Sequence, residues 1–341
     1  MSVREWIVTL FSVVCCVLVA TDPQKSPINA EEYNWCLSCQ SIGSTQYRPF
    51  RTVAGNQKCT EERYQLERVI RQGKHTLIWQ AYDHVFKSPV AIKMVSGDYL
   101  QEVRNEECFL ASAEPNNHLP KYHCSYILTD KMKWVNKSGY LVALVMELIE
   151  GEDLESLAVR EPQQSATFAL PMALTIGPLL QSLYDAGIQH RDVKPANIVR
   201  DATGRFFLID FGFTLLVSIP WVTSATIEYA DPELLKFITQ YPDMYYIAWN
   251  EKFPKYDFYC FGVTLLCLLE GAIPSTGTLS VVERIDLAKK GISSDRLDRQ
   301  LKWHSVLREL LGSPGDAARK TFAEVAHLFP QSETHQGPWD G

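Results

Sequence analysis

Four side chains in a short stretch of this chain have the types and spacing to act together on a strongly charged group. Asp192, Lys194 and Asn197 lie within His190-Arg191-Asp192-Val193-Lys194-Pro195-Ala196-Asn197, and Asp210 follows thirteen residues after Asn197, in Asp210-Phe211-Gly212. A carboxylate within hydrogen-bond reach of a hydroxyl can accept or orient its proton. An ammonium beside it can offset negative charge that develops during reaction. Carboxylate and amide oxygens are hard ligands suited to Mg²⁺, with Mn²⁺ as the alternative. Phosphoryl transfer has this requirement, because the moving group needs charge held in place more than covalent help from protein.

Such residues need elements to hold them. Val90-Ala91-Ile92-Lys93 is an apolar, β-branched run ending in lysine, which reads as a buried strand. A helix over Gln101 to Ala113 carries Glu102, Glu106 and Glu107. Tyr122 to Asp130 and Tyr140 to Leu148 read as two strands joined by a polar turn. Asp257 opens an apolar helical run that includes Thr264 to Leu269.

In order and separation, the octapeptide and the Asp-Phe-Gly tripeptide resemble the catalytic and metal-binding loops of protein kinases, and the likeness extends over about Tyr64 to Phe329. The resemblance implies an α+β, two-lobed fold, with a small antiparallel β-sheet and one main helix in the N-lobe and a larger helical C-lobe. It divides the chain into a kinase domain at 61–330, comprising N-lobe 61–146, hinge 147–151 and C-lobe 152–330. It also implies ATP and Mg²⁺ as cofactors and a protein substrate bearing a Ser or Thr acceptor, since Lys194 two places after Asp192 is similar to the serine/threonine type.

The resemblance assigns roles residue by residue. Asp192 is the base, Lys194 sits beside the γ-phosphate, and Asn197 and Asp210 ligate the metal. Lys93 grips the α/β-phosphates and needs an anionic partner. Glu106 is preferred for this, because Leu110 lies four residues on along the same helical face; Glu107 is the second choice and Glu102 a solvated surface charge. Glu147 and Ile149 offer backbone groups to adenine, with Met146 behind it, and Gly73, Ile78 and Ala91 complete the nucleotide site. Farther on, Asp257 is expected to anchor the catalytic-loop backbone, Thr226 to serve near Asp192, and Arg319 to pair with Glu233. Asp231 stands where kinases carry alanine before Pro232-Glu233. Thr214, Ser218, Thr223 and Ser224 are the hydroxyls open to phosphorylation opposite Arg191, with Thr223 and Ser224 first.

One part departs from the family. Kinases cover the phosphates with a loop of three glycines, and here only Gly73 remains, with Arg71 and Thr76 at the outer two places. Glycine admits backbone conformations and close approaches closed to other residues, so this cradle is expected to hold nucleotide less tightly. Two functions are therefore weighed: an active kinase, favoured by the intact Lys93, Asp192, Asn197 and Asp210, and a pseudokinase used as a binding or allosteric module.

Outside this region, Ile7 to Ala20 form an apolar run short for a membrane helix and suited to a signal peptide over 1–20, with a buried helix or uncleaved anchor as the other readings. That places the protein in the secretory pathway or outside the cell, and in the cytoplasm if the run is no signal. No other run is expected to cross a membrane. Residues 21–60 form a cysteine-containing extension and 331–341 a polar tail. Cys36-x-x-Cys39 fits redox, metal-binding or disulfide roles, with a bridge from Cys59 to Cys36 or Cys39 preferred in an oxidising compartment. Cys108 and Cys124 fit either core packing or a bridge, Cys260 and Cys267 an inert core, and Asn136-Lys137-Ser138 a glycosylation site. With 341 residues and 46% hydrophobic content, the chain can build a large core, and a net charge of −7 argues against nucleic acid as a partner.

Overall fold

The computed structural model describes residues 59, 61–73, 76–96, 100–113, 116–128, 141–216, 226–240, 253–273, 283, 292, 300, 302–311 and 319–330. The expected signal run, Cys36 and Cys39, the Asn136 sequon, Ser218, Thr223, Ser224 and the tail lie outside these residues.

Five antiparallel strands form the first sheet: β1 (Tyr64–Gln72), β2 (Thr76–Asp83), β3 (Ser88–Ser96), β4 (Tyr122–Leu128) and β5 (Leu141–Glu147), in the order β1-β2-β3-β5-β4. The period-two rule is clear in β3. Val90, Ile92 and Met94 enter a small core on one face with Tyr64, Ala81, Cys124 and Val145. Ala91, Lys93 and Val95 point to the other face, where Ala91 and Val95 join the main core. Helix α1 (Leu100–Ser112) packs on that second face.

The second lobe is mostly helical. Strands β6 (Gly151–Asp153), β8 (Ile198–Asp201) and β9 (Phe206–Leu208) make a small sheet, and β7 (Ile188–Gln189) pairs with β10 (Leu215–Leu216). The helices are α2 (Leu154–Arg160), α3 (Ser165–Asp185), α4 (Pro232–Gln240), α5 (Tyr256–Glu270), α6 (His304–Leu311) and α7 (Phe322–Val325). Ala169, Met172, Ala173, Ile176, Leu180 and Leu183 recur at helical spacing and bury one face of α3, which packs against α5. By length and composition α3 is apolar enough to cross a membrane, contrary to expectation, while the face just described packs in the core. Gly177 marks the tightest approach, since a Cβ there would overlap the Phe322 ring. Helix α5 ends at Gly271, whose left-handed φ of 62° closes the last turn. One core runs from the lower face of the first sheet through α1 into these helices, so the lobes share apolar packing along the cleft.

The disulfide pattern corrects the expectation. Cys59 bridges to Cys124 on β4, with Cα atoms 6.4 Å apart. Cys59 lies beside Tyr64 at the start of β1, and the folded sheet brings that point next to β4, whereas sequence proximity had favoured Cys36 or Cys39. The Tyr64 hydroxyl lies 3.1 Å from the Cys59 sulfur and 3.2 Å from that of Cys124. Cys108 on α1 is also disulfide-bonded. Cys260 and Cys267 are buried thiols that form no disulfide, as expected of core positions.

Candidate active site

Lys93 leaves the middle of β3 on the face toward α1 and meets two carboxylates. Its Nζ lies 2.6 Å from Glu106 Oε2 and 2.6 Å from Asp210 Oδ1. Burial by itself would lower the lysine; Asp210 and Glu106 overturn this and hold its ammonium above the usual range. The same burial raises the Glu106 carboxyl, against the pull of Lys93. Asp210 goes the other way: although burial opposes it, Lys93 holds it well below the usual carboxylate range. Glu107 is not the partner, since it accepts from the Tyr122 hydroxyl at 3.1 Å.

The Asp210 loop is clamped to α1 at several points. Phe211 N–H donates to Glu106 Oε1 at 3.3 Å, and Asn105 Nδ2 donates to Gly212 O at 3.1 Å. The Phe211 ring is fully buried, stacked on Phe109 at 4.1 Å and edge-on to His190 at 4.6 Å. This fixes Asp210 with a φ of 66°, a left-handed conformation uncommon outside glycine, while leaving its carboxylate 41% exposed to the cleft.

Asp257, at the start of α5, holds the second loop by its backbone. Its carboxylate accepts from His190 N at 2.6 Å and Arg191 N at 2.8 Å. His190 then accepts at Nδ1 from Asp192 N at 3.2 Å, which leaves Nε2–H to donate to Ile209 O at 3.1 Å. Burial lowers the His190 pKa, consistent with this neutral tautomer. Arg191 is buried with a φ of 69°, so strain falls on the residue before Asp192 in this loop and on Asp210 itself in the other.

Asp192 is thereby fixed from three sides. Thr226 Oγ1 donates to Oδ1 at 2.6 Å, Asn197 Nδ2 donates to Oδ2 at 2.8 Å, and Lys194 Nζ lies 2.7 Å from Oδ2. Lys194 also donates to Thr226 Oγ1 at 2.8 Å, which gives Thr226 the structural duty expected of it. With its amide nitrogen committed, Asn197 keeps a buried Oδ1 that no protein group meets. A buried acceptor left over in this way suits a cation. Among the described residues no cluster of His, Cys, Asp and Glu could hold a metal unaided. Asn197 Oδ1 and the Asp210 carboxylate would therefore suit a divalent cation that takes further ligands from a bound group.

A cavity of about 380 Å³ opens between the sheet and the link to the second lobe, lined by Ile70, Gln80, Leu148, Ile149 and Gly151 among others. Ile149, expected from the resemblance to contact adenine, lines this cavity. Glu147 N–H is taken by Lys121 O at 2.8 Å, so of its backbone groups only the carbonyl is left to offer. Ile78 and Ala91 share the Lys93 face of the sheet, directly paired with or two residues from that lysine. Gly73 forms the β1–β2 turn, its N–H donating to Thr76 O at 2.8 Å.

Three expectations are corrected at or near this site. Glu102 is no solvated charge. It lies against Gly212, and burial, joined by Asp210, Glu106 and Asp192 against Lys93, pushes its carboxyl up to about 7. Its position one helical turn before Glu106 was the available signal. Arg319 pairs with Asp231 rather than Glu233, its Nε and Nη2 each donating at 2.6 Å, while Glu233 pairs at the surface with Lys236. Asp231 wins because it is buried beside Arg319 and also accepts from Glu233 N at 2.8 Å, capping α4. Thr214 is buried rather than an open hydroxyl.

The protein kinase domain family matches residues 64–312. The chain belongs to the protein kinase family. The two-lobed kinase fold accounts for the antiparallel first sheet, the helical second lobe and the site at their cleft. The chain is 33% identical over 176 residues to the serine/threonine-protein kinase PknA of Mycobacterium tuberculosis, covering 50% of this chain and 41% of that protein. It is 32% identical over 180 residues to the probable serine/threonine-protein kinase PknB of Corynebacterium glutamicum, covering 50% of this chain and 28% of that protein. A probable serine/threonine-protein kinase of Corynebacterium efficiens is 36% identical over 157 residues, covering 44% of this chain and 23% of its own. The matches span less than half the length of these relatives.

Proposed function

We propose that this kinase is an active, ATP-dependent serine/threonine enzyme that transfers the γ-phosphoryl group to protein hydroxyls. The observation that carries the reading is the Lys93 ammonium held at 2.6 Å from both Glu106 and Asp210, because it fixes the strand, the helix and the metal-binding loop to one point. A bound Mg²⁺ supplies charge neutralisation on the phosphates, and Asn197 Oδ1 with the Asp210 carboxylate would hold it. Lys93 grips the α/β-phosphates. Asp192, oriented by Thr226 and Asn197, receives the acceptor hydroxyl, and Lys194 offsets charge on the transferred group. The alternative, a pseudokinase, draws on Arg71 and Thr76 at glycine positions. Neither residue has a left-handed φ, so neither of these two places needs a conformation that requires glycine.

For location we propose the secretory pathway or the exterior. The Cys59–Cys124 bridge and the bonded Cys108 support an oxidising compartment, in keeping with the apolar run at Ile7 to Ala20. The test is transfer from γ-labelled ATP by residues 21–341, with Mg²⁺ and with Mn²⁺, beside Asp210→Ala. Transfer that disappears in the variant is expected. Well-folded protein that transfers nothing with either metal would turn the reading to the pseudokinase.

A further inference from the structure

Arg71 stands where a kinase glycine loop would begin, and its side chain does not point to solvent above the sheet. Between Val69 and Arg71 the pairing of β1 with β2 slips by one residue, so that Val69 faces Trp79 and Arg71 faces Ile78. Ile78 in turn faces Lys93. Directly paired residues share one face of a sheet, so Arg71, Ile78 and Lys93 form a row across three strands on the cleft side. Without the slip Arg71 would pair with Leu77, which packs on the opposite core, and its side chain would leave the cleft. A bulge next to a site commonly re-aims a side chain in this way. The guanidinium then crosses between the lobes, and Nη1 donates to Ala196 O at 3.2 Å. Ala196 is the residue before Asn197, whose buried Oδ1 meets no protein group.

The charges around this point explain what such a cation would do. Asp192, Asp210, Glu102 and Glu106 converge on Lys93 and Lys194, leaving carboxylates in excess where a polyanion has to enter. The backbone of an all-glycine loop would meet phosphates with N–H groups, whereas a guanidinium meets their oxygens with paired donors and full charge. We propose that Arg71 is a phosphate-binding residue of the nucleotide site, resting on Ala196 O in the free protein and turning to the polyphosphate of a nucleoside triphosphate. The departure from glycine thus exchanges backbone donors for a side-chain cation.

This rests on the nucleotide-binding reading above, and the test separates the two. Equilibrium binding of ATP with Mg²⁺, and of adenosine, is measured by calorimetry on the full chain and on Arg71→Gly and Arg71→Lys. Arg71 is exposed at the end of β1, so the variants should fold, with an unchanged urea midpoint as the check. Expected is a loss of about tenfold or more in ATP affinity for Arg71→Gly, partial recovery in Arg71→Lys, and adenosine affinity within about twofold throughout, since a direct phosphate contact acts on the charged ligand alone. ATP affinity that is unchanged or tighter in Arg71→Gly would overturn the inference, tighter binding marking Arg71 as a strap that competes with nucleotide. An equal loss for ATP and adenosine would overturn it too. Wild-type protein that binds neither ligand would sink the nucleotide-binding reading itself, and this inference with it.

Discussion

Replacing Asp231 with alanine should be among the costliest single changes in the second lobe, and replacing Glu233 among the cheapest. The Asp231 side chain is 3% exposed and that of Arg319 13%, with two donor contacts of 2.6 Å between them. Removing one partner of a buried pair leaves the other charge uncompensated, which costs about 3–5 kcal/mol. Asp231 also accepts from Glu233 N at the start of α4, and loss of such a cap adds about 1 kcal/mol. Arg319 keeps its bond to Leu311 O and its place 4.4 Å from the Tyr259 ring centre, which trims the total. The expected loss for Asp231→Ala is therefore about 4 kcal/mol. Glu233 and Lys236 are each more than 40% exposed, so Glu233→Ala should cost at most about 0.5 kcal/mol. Urea unfolding followed by tryptophan fluorescence reads both, with buried Trp303 near the same region as a reporter. The double change Asp231→Ala with Arg319→Met should recover most of the loss, because no charge is then left buried. A Glu233→Ala loss equal to that of Asp231→Ala, or an Asp231→Ala loss below about 1 kcal/mol, would refute the assignment.

Further outcomes follow from other parts of the molecule. Glu102, with its carboxyl raised to about 7, contributes stability that is fully present below its unfolded value of about 4.5 and is lost as pH rises through about 7. Glu102→Gln should therefore gain on wild type between those limits, by at most about 3 kcal/mol near pH 8, and parallel stability–pH curves would exclude this. Cys59→Ser opens a loop whose ends are 65 residues apart, for which chain entropy gives up to about 4 kcal/mol. Unfolding should show that loss under oxidising conditions and none once both proteins are reduced; equal oxidised stabilities would count against the bridge. Gly177→Ala forces a Cβ into the Phe322 ring and should cost about 1–3 kcal/mol, relieved by Phe322→Leu in the same chain, and an additive double variant would contradict the contact.

The candidate site residues were legible because their placement depends on local spacing. Asp192, Lys194 and Asn197 fall within one loop, and a loop that must present a carboxylate, an ammonium and an amide to one point leaves little freedom in sequence. Lys93 was legible from the β-branched run of sequence that ends on it, and Glu106 from its helical register. Other features were not, and each depends on contact across the fold. Arg319 could not announce that Asp231 rather than Glu233 would be its partner, since the two acids are only two residues apart. Cys59 had nearer cysteines in sequence, and only the strand order brings it to Cys124. The direction of Arg71 depends on a one-residue slip in strand pairing that its composition does not signal.

Glu102 and Arg71 share a cause that ties these surprises to the chemistry. Docking α1 so that Glu106 reaches Lys93 rotates the residue one turn earlier into the same cleft, so Glu102 comes with Glu106. The cleft then holds four carboxylates against two lysines, and Glu102 is raised first by burial and further by Asp210, Glu106 and Asp192. A triphosphate entering such a field gains from every added cation, whether Mg²⁺ at Asn197 and Asp210 or a guanidinium opposite them. A glycine in place of Arg71 would supply flexibility but no charge. In this cleft charge is the scarcer of the two, because Arg71 and Thr76 already take ordinary backbone angles.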